Sequence, residues 1–308
     1  MEVTNSLTAP QEKKKFSEMV QTPKYQELIY NTLGNPEKAK RFIAAVTSAV
    51  AVNPELQECD AGTILSGALL GESLNLVPSP QLGQYYLVPY KLNQFNKKTK
   101  QWETIGKKAQ FQLGYKGFLQ LAVRSGYYKK IVVEPIKQGE LIGFDPIEEE
   151  ISLMLIEDEE MREEADTIGY YAMFEHLNGF RKVMYWSRRK MEEHAGKYSK
   201  AFNLQAYRNL KAGKIPKDKL KEYSSFWYKD FDAMGCKTML RQLLSKWGVM
   251  SSQLQEAIEK DMGILHADGT IEYIDNPQLS PDKCDTESTS SDNPENNEVS
   301  PENDPLAD

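Results

Sequence analysis

Two stretches of the chain combine many positive charges with aromatic side chains. Residues 84–133 hold ten Lys and Arg against one acid, Glu103. Residues 180–247 hold seventeen Lys and Arg against six acids, together with twelve aromatic residues. Lysine and arginine neutralise phosphates, and aromatic faces stack unpaired bases. The combination indicates single-stranded nucleic acid as the ligand, although any single aromatic ring is more often part of a core.

The candidate DNA contacts come from the basic and aromatic positions of these two zones. Cations would bind the phosphates and rings would stack the bases, so the set contains both kinds of side chain. The set is Lys97, Lys98, Lys107, Lys108, Tyr115, Lys116, Arg124, Lys129, Lys130, Arg181, Trp186, Arg188, Arg189, Lys197, Tyr198, Lys200, Phe202, Arg208, Lys237 and Arg241.

Arg188, Arg189 and Lys190 fall in the first turn of a short helix that Ser187 is predicted to cap. Cations are disfavoured there because the N-terminus of a helix is already positive. Three of them imply a compensating anion, which is either a phosphate or an internal acid. Glu192 and Glu193 lie too close in sequence to serve all three.

Lys237 and Arg241 lie four residues apart on a long helix predicted from about residue 225 to 247. Like charges at that spacing repel each other, and a bound phosphate would relieve the repulsion. Asp230 or Asp232 could do the same, so both explanations stay open. The buried stripe of this helix is predicted to be Leu240, Leu243, Leu244 and Trp247.

The sequence contains no recognisable catalytic constellation. Residues 235–238, Gly-Cys-Lys-Thr, lack the glycine directly before lysine that a phosphate-binding loop requires. The three histidines have no metal-ligand spacing with the cysteines, and the acidic run 157–160 is typical of a solvated surface. We expect no enzyme activity, no metal ion and no cofactor; a metal-dependent nuclease that uses the acidic run is the enzyme alternative.

The net charge of −7 conceals a basic body. Residues 145–166 carry eleven acids and one arginine, and residues 271–308 carry eleven acids and one lysine. Each block contributes −10, and subtracting both from −7 leaves +13 on the rest of the chain. A strongly basic body suits a polyanionic partner.

Length and hydropathy predict one main domain with appendages. The chain has 308 residues, 40% of them hydrophobic, and three scattered cysteines that we expect to be reduced in a cytoplasm. It has no apolar run long enough to span a membrane and no signal-peptide pattern at its start. We divide it into an N-terminal arm (1–34), a DNA-binding core (35–250) and a C-terminal segment (251–308) with a disordered acidic tail from Asn276.

The order of elements predicts an α+β core with a basic groove. Asn35 and Asp60 are expected to cap two helices, and strands are expected at 85–90, 107–113 and 127–134, with a helix at 115–125 after the second. Gly67 and Gly71 would let another backbone approach closely, either in a subunit contact or in intramolecular packing.

Asn178-Gly179 predicts a β-hairpin with a two-residue turn. That turn pairs Glu175 with Lys182, Phe174 with Val183, and Tyr171 with Trp186. Opposite charges face each other in this register, and apolar residues do the same.

Four segments, in this order, resemble the RecT family of phage recombinases. They are residues 67–90 (GALLGESLNLVPSPQLGQYYLVPY), 111–131 (FQLGYKGFLQLAVRSGYYKKI), 170–189 (YYAMFEHLNGFRKVMYWSRR) and 231–249 (FDAMGCKTMLRQLLSKWGV). The resemblance covers roughly residues 36–250. No single motif is decisive, but the ordered set is specific.

The resemblance implies ATP-independent annealing of single-stranded DNA in phage recombination, inside a bacterial host cell. It implies ring-shaped oligomers or helical filaments, an annealed duplex intermediate and a partner exonuclease, with a host single-strand binding protein as a further candidate partner. The family's basic and aromatic positions fall at Tyr115, Lys116, Arg124, Arg181, Arg188, Arg189, Lys237 and Arg241. A single-strand coating protein without annealing activity is the second alternative, beside the nuclease.

Removing residues 276–308 is expected to raise the affinity for single-stranded DNA and leave annealing largely intact. A flexible polyanion tethered beside a basic groove competes with phosphate at high local concentration. The gain should be largest at low salt, where screening is weak. The measurement is the affinity of full-length and truncated protein at two salt concentrations. Equal affinities at low salt would leave partner docking or solubility as the role of the tail.

Overall fold

The computed structural model describes residues 16–96 and 99–273, along which helices and strands form the predicted mixed α+β fold. The predictions for residues 1–15, for Lys97 and Lys98 and for the acidic tail from Asn276 lie outside the described residues. No helix among the described residues is long and apolar enough to cross a membrane.

Five helices open the described part of the chain: α1 (Phe16–Met19), α2 (Pro23–Leu33), α3 (Pro36–Ala51), α4 (Pro54–Gln57) and α5 (Ala61–Ser73). The predicted caps are confirmed. The Asn35 side chain accepts hydrogen bonds from the backbone N–H groups of Glu37 and Lys38, and Asp60 accepts one from Thr63. Each cap satisfies N–H groups that the first turn of a helix leaves unpaired.

Helix α5 packs on a long antiparallel ribbon of strands β1 (Tyr85–Asn96) and β2 (Gln101–Leu113). A Cβ atom at Gly71 would lie 2.3 Å from the ring of Tyr85, and one at Gly67 would lie 2.8 Å from Leu87. The two glycines therefore serve the intramolecular packing of α5 on β1, which is one of the two roles that the sequence left open.

After α6 (Tyr115–Arg124), a three-stranded sheet forms from β3 (Tyr128–Lys137), β6 (Thr167–His176) and β7 (Arg181–Ser187), in the order β3-β6-β7. The β6–β7 hairpin is confirmed, but its predicted register is wrong by one residue. The structure pairs Glu175 with Arg181 and Tyr170 with Trp186. The backbone N–H of His176 donates to Phe180 O, and Gly179 takes a φ of +88°. The loop therefore consists of the three residues 177–179 and ends on Gly179 in the left-handed conformation. Asn-Gly is compatible with this three-residue loop as well as with the two-residue turn that the sequence predicted.

Between β3 and β6 lie a small hairpin, β4 (Leu141–Asp145) and β5 (Glu150–Leu153), and helix α7 (Glu159–Glu164). Asp158 caps α7, which has no buried residue. The run 157–160, predicted as a solvated loop or helix face, is accordingly exposed.

The chain continues through α8 (Arg188–Tyr198), α9 (Leu204–Lys211), a 3-10 helix (Lys217–Glu222), α10 (Phe226–Lys229) and α11 (Phe231–Trp247). The single helix expected from residue 225 to 247 is broken at Asp230. That residue has φ −147° and its side chain caps α11 by accepting from Ala233 N. An aspartate that bonds to the backbone in this way favours a helix start over a helix interior.

The last described elements are α12 (Ser252–Lys260), β8 (Ile264–Leu265) and β9 (Ile271–Glu272). They pack against β2: Phe111 N donates to Gly263 O at 2.9 Å, and the buried Asp261 side chain accepts from Leu113 N at 2.8 Å. Leu254, Ala257 and Ile264 are fully buried. The packed core therefore extends to residues beyond 250.

Candidate nucleic-acid interface

Helices α8 and α11 lie next to the three-stranded sheet and carry seven of the seventeen cations of the second basic zone. Strand β7 leads directly into α8, and the Ser187 side chain at the junction accepts a hydrogen bond from Lys190 N at 3.3 Å. Helix α11 packs on all three strands of the sheet. The sheet thus fixes where the side chains of both helices emerge.

Arg188 joins the two helices through a buried network. Its guanidinium lies 2.6 Å from Asp232 of α11 and donates hydrogen bonds to the hydroxyl groups of Tyr170 and Tyr207. It also lies 3.9 Å from the centre of the Phe231 ring. The Arg188 side chain is 18% exposed, so its donors are used inside the protein.

Three internal acids compensate the first turn of α8: Asp232 at 2.6 Å and Glu192 at 3.4 Å from Arg188, and Glu193 at 3.6 Å from Arg189. Burial alone would raise the pKa of the Asp232 carboxyl, but hydrogen bonds from Thr167 and Tyr170 and the charge of Arg188 hold that pKa below its usual value. The carboxylate therefore stays ionised and neutralises Arg188. Arg188 thus has an internal ion pair, which is the other explanation for these cations, and its contact with DNA stays a prediction.

The aromatic residues of the second zone mostly pack against one another. Phe202 has ring centres of four neighbours within 5.2–5.8 Å: Tyr207, Trp227, Tyr228 and Phe231. Phe202 is 5% exposed. Trp186 is 7% exposed and lies between the Lys190 ammonium and the ring of His194. Both rings, selected as base-stacking candidates, are covered by neighbouring side chains and belong to the core.

A group of cations surrounds His194 on α8. Burial lowers the pKa of His194 to about 4, and four nearby charges act in the same direction: Arg241, Lys246, Lys190 and Lys197. Because such effects fall off with distance, two cations of α8 and two of α11 lie within electrostatic range of the His194 ring.

Two partly exposed rings lie among these cations. Tyr198 is 52% exposed, with the Lys197 ammonium 5.1 Å from its ring centre. Trp247 is 39% exposed, with the Lys246 ammonium at 5.8 Å and that of Lys182 at 4.6 Å. We define the α8–α11 surface by its four cations and two rings: Lys190, Lys197, Tyr198, Arg241, Lys246 and Trp247.

The chemistry of the α8–α11 surface suits an extended single strand. Lys190, Lys197 and Lys246 are exposed, and none has an ion pair with an acid among the described residues. Such cations can neutralise phosphates and release counterions. The exposed parts of the Tyr198 and Trp247 rings can stack unpaired bases, which a paired duplex does not offer.

Other cations of the candidate set have acidic or backbone partners within the protein. Lys107 lies 2.8 Å from Glu58, Lys108 2.9 Å from Glu272 and Lys129 2.7 Å from Glu175. Three ion pairs are longer: Arg189–Glu193 and Arg208–Glu192 at 3.6 Å, and Arg241–Asp261 at 3.2 Å. Arg124 instead donates a hydrogen bond to the backbone oxygen of Leu74 at 2.9 Å. Because of these pairings, fewer cations are available to bind phosphates than the number of Lys and Arg residues in the sequence indicates.

The remaining candidates differ in exposure. Lys116, Lys130, Arg181, Lys197 and Lys200 are exposed. Tyr115 is partly buried against the core, and burial raises the pKa of its hydroxyl. Lys237 is also partly buried, and burial lowers the pKa of its ammonium. Arg241, one turn further along α11, is paired with Asp261 and not with Asp230 or Asp232.

Lys190, Lys246 and Trp247 belong to the α8–α11 surface but were absent from the candidate set. Trp247 was assigned to the buried stripe with Leu240, Leu243 and Leu244, which are fully buried as predicted. It occupies the last position of α11, directly before Gly248. A position at the end of a helix is the sequence signal that could have identified it, because the last side chain can extend past the packed neighbours.

Among the described residues, no group of three or more His, Cys, Asp or Glu side chains is placed to hold a metal ion.

Comparison with known proteins identifies relatives along most of the chain. A model of the RecT family matches residues 40–276. The chain is similar to the uncharacterised protein YqaK of Bacillus subtilis (strain 168), with 37% identity over 240 residues that cover 78% of this chain and 68% of YqaK. It is also similar to the protein RecT of Escherichia coli (strain K12), with 25% identity over 243 residues, 79% of this chain and 78% of that protein.

Arg188→Ala is expected to lower the free energy of unfolding by about 3 kcal/mol, because it leaves Asp232 partly buried without its cation. Arg189→Ala is the matched control. The Arg189 side chain is 84% exposed, and exposed pairs contribute little. Urea denaturation of the three proteins measures both effects. Unchanged stability of Arg188→Ala with weaker DNA binding would instead make Arg188 a DNA contact.

Proposed function

We propose that this chain, which belongs to the RecT family, binds single-stranded DNA as an oligomer and anneals it to a complementary strand without ATP. Membership of the family implies a role in recombination through single-strand annealing. The independence from ATP, the oligomer or filament, and the particular side chains that contact DNA are proposals for this chain.

The α8–α11 surface is the observation that supports the proposal most directly. It combines exposed lysines that lack acidic partners among the described residues with two partly exposed rings. Phosphate contacts give affinity that is independent of base sequence, as annealing of any complementary pair requires. Stacking on Tyr198 and Trp247 favours unpaired bases over a closed duplex.

We propose that the surface holds the strand by its phosphates and leaves the pairing edges of the bases accessible. A strand held in an extended form has already lost much of its conformational freedom. A second strand can then test its register and pair at a lower entropic cost. Neighbouring subunits would continue the same surface, an exonuclease would supply the single strand, and a host single-strand binding protein is a further proposed partner.

An annealing assay in the presence of a chelator separates this proposal from its alternatives. The protein is expected to accelerate pairing of complementary strands without ATP or metal ions and to retain the paired product at a salt concentration that releases either single strand. Binding without acceleration would favour a coating protein. Cleavage that appears when metal is restored would favour a nuclease.

Reversing two exposed charges tests the α8–α11 surface itself. Lys197→Glu/Lys246→Glu is expected to weaken single-strand binding and to lower the slope of log affinity against log salt by about two, one for each lost phosphate contact. Lys24→Glu/Lys40→Glu is the matched control, because both lysines are exposed and lie outside the two basic zones. Titration at several salt concentrations provides the slopes.

Equal slopes in the surface variant and the wild-type protein, with both proteins folded, would remove Lys197 and Lys246 from the interface. An equal loss of affinity in the control variant would indicate a general charge effect.

A further inference from the structure

We propose that residues 140–166 of one chain dock on residues 211–229 of a second copy of this chain. The first segment, the acidic arm, contains β4, β5 and α7; the second, the lysine connector, runs from the end of α9 through the 3-10 helix to α10. The inference rests on the proposed function only in that the function includes an oligomer, and it names the surfaces that meet.

The inner side of the acidic arm is firmly attached to its own chain. Glu140 is 1% exposed and accepts a hydrogen bond from Lys137 N of β3, and its 2.6 Å pair with Arg162 holds the arm together internally. Glu149 pairs with Lys182 of β7, and the Phe144 ring lies 5.5 Å from that of Tyr185. The arm is therefore a preformed platform, which lowers the entropic cost of docking.

The outer side of the acidic arm exposes apolar side chains among unpaired acids. Five large apolar residues are 60–86% exposed: Ile142, Ile147, Met154, Leu155 and Met161. Of the eleven acids in residues 145–166, only Glu149 has an ion pair with a basic side chain among the described residues. Exposed apolar side chains concentrated on one segment are typical of a protein–protein contact.

The lysine connector has the opposite charge and its own exposed apolar residues. Its cations Lys211, Lys214, Lys217, Lys219 and Lys229 are exposed and have no ion pair among the described residues. Leu220 is 43% exposed and Phe226 is 62% exposed. The connector is anchored beside Trp227 of α10 and Tyr207 of α9, which are both buried.

Within one chain, no hydrogen bond, ion pair or ring contact among the described residues joins the acidic arm to the lysine connector. A second copy presents both surfaces at once, so each chain can use its arm on one neighbour and its connector on another. Complementary charges would steer the approach and fix the register, and the apolar side chains would become the dry centre of the contact.

Charge reversal on each side tests the contact in the absence of DNA. The arm variant is Glu159→Lys/Glu160→Lys and the connector variant is Lys217→Glu/Lys219→Glu. All four residues are exposed, and none has an ion pair among the described residues. Each variant is expected to weaken self-association by about tenfold or more at about 0.1 M salt, since like charges would then face each other.

The two controls reverse charges of the same number and sign elsewhere. Glu18→Lys/Glu27→Lys matches the arm variant, and Lys24→Glu/Lys91→Glu matches the connector variant; all four residues are exposed. Sedimentation velocity over a range of protein concentrations should place both controls within about threefold of the wild-type protein.

Mixing the arm and connector variants in equal amounts is the decisive measurement. In the mixture, the reversed, basic arm of the arm variant can face the reversed, acidic connector of the connector variant. The unaltered acidic arm of the connector variant can likewise face the unaltered basic connector of the arm variant, so opposite charges meet in both contacts. Association of the mixture is expected to return to the wild-type level. Failure of the mixture to recover would overturn the contact, as would a wild-type protein that stays monomeric without DNA.

Leu155→Ser tests the apolar part of the contact without changing charge. It is expected to weaken self-association by about tenfold, because Leu155 would be covered in the complex. Leu177→Ser is the control, since Leu177 is 70% exposed at the tip of the β6–β7 hairpin. Equal effects of the two substitutions would contradict the apolar contact.

Annealing by the wild-type protein is measured separately. Charge-pair rescue in a protein that does not anneal would support the contact and overturn the proposed function. If the wild-type protein anneals DNA but the mixture of arm and connector variants does not recover self-association, the proposed function would be supported and the contact overturned.

Discussion

The partly buried pair of Arg188 and Asp232 holds the two helices of the α8–α11 surface in their relative positions. Asp232 also accepts hydrogen bonds from Thr167 and Tyr170 of β6, and Arg188 reaches Tyr207 of α9. One ion pair thus links α8, α9, α11 and the sheet. In a poorly solvated position each charge depends on the other, because either one alone would bear the full cost of desolvation.

This constraint explains why basic and aromatic residues so close in sequence divide between interior and surface. Tyr207 and Phe231 contact the Arg188 guanidinium, and Phe202 packs against both rings. The cations that the network does not use emerge around His194, where only Tyr198 and Trp247 keep a substantial part of their rings exposed. The packing that buries most of the rings therefore also selects the side chains that remain exposed.

Charge is distributed over the chain in a way that the net value of −7 conceals. The acids of residues 145–166 lie on an arm that is tied to the sheet by Glu140, which accepts from Lys137 N of β3, and by Glu149, which pairs with Lys182 of β7. Lys182 also lies 4.6 Å from the centre of the Trp247 ring, so this attachment adjoins the α8–α11 surface. The chain therefore carries an acidic and a basic surface close to each other.

The sequence by itself determined the α+β class, the helix caps at Asn35 and Asp60, the β6–β7 hairpin and the basic character of α8 and α11, because these depend on local spacing and composition. The tertiary structure alone decided which cations remain available. Asp232 lies 44 residues from Arg188, and Asp261 lies 20 residues from Arg241. The one-residue shift in the hairpin, the break at Asp230 and the burial of Trp186 and Phe202 also depended on packing. Ion pairing and burial are set by residues far apart in the chain, and local patterns carry no information about which of them meet.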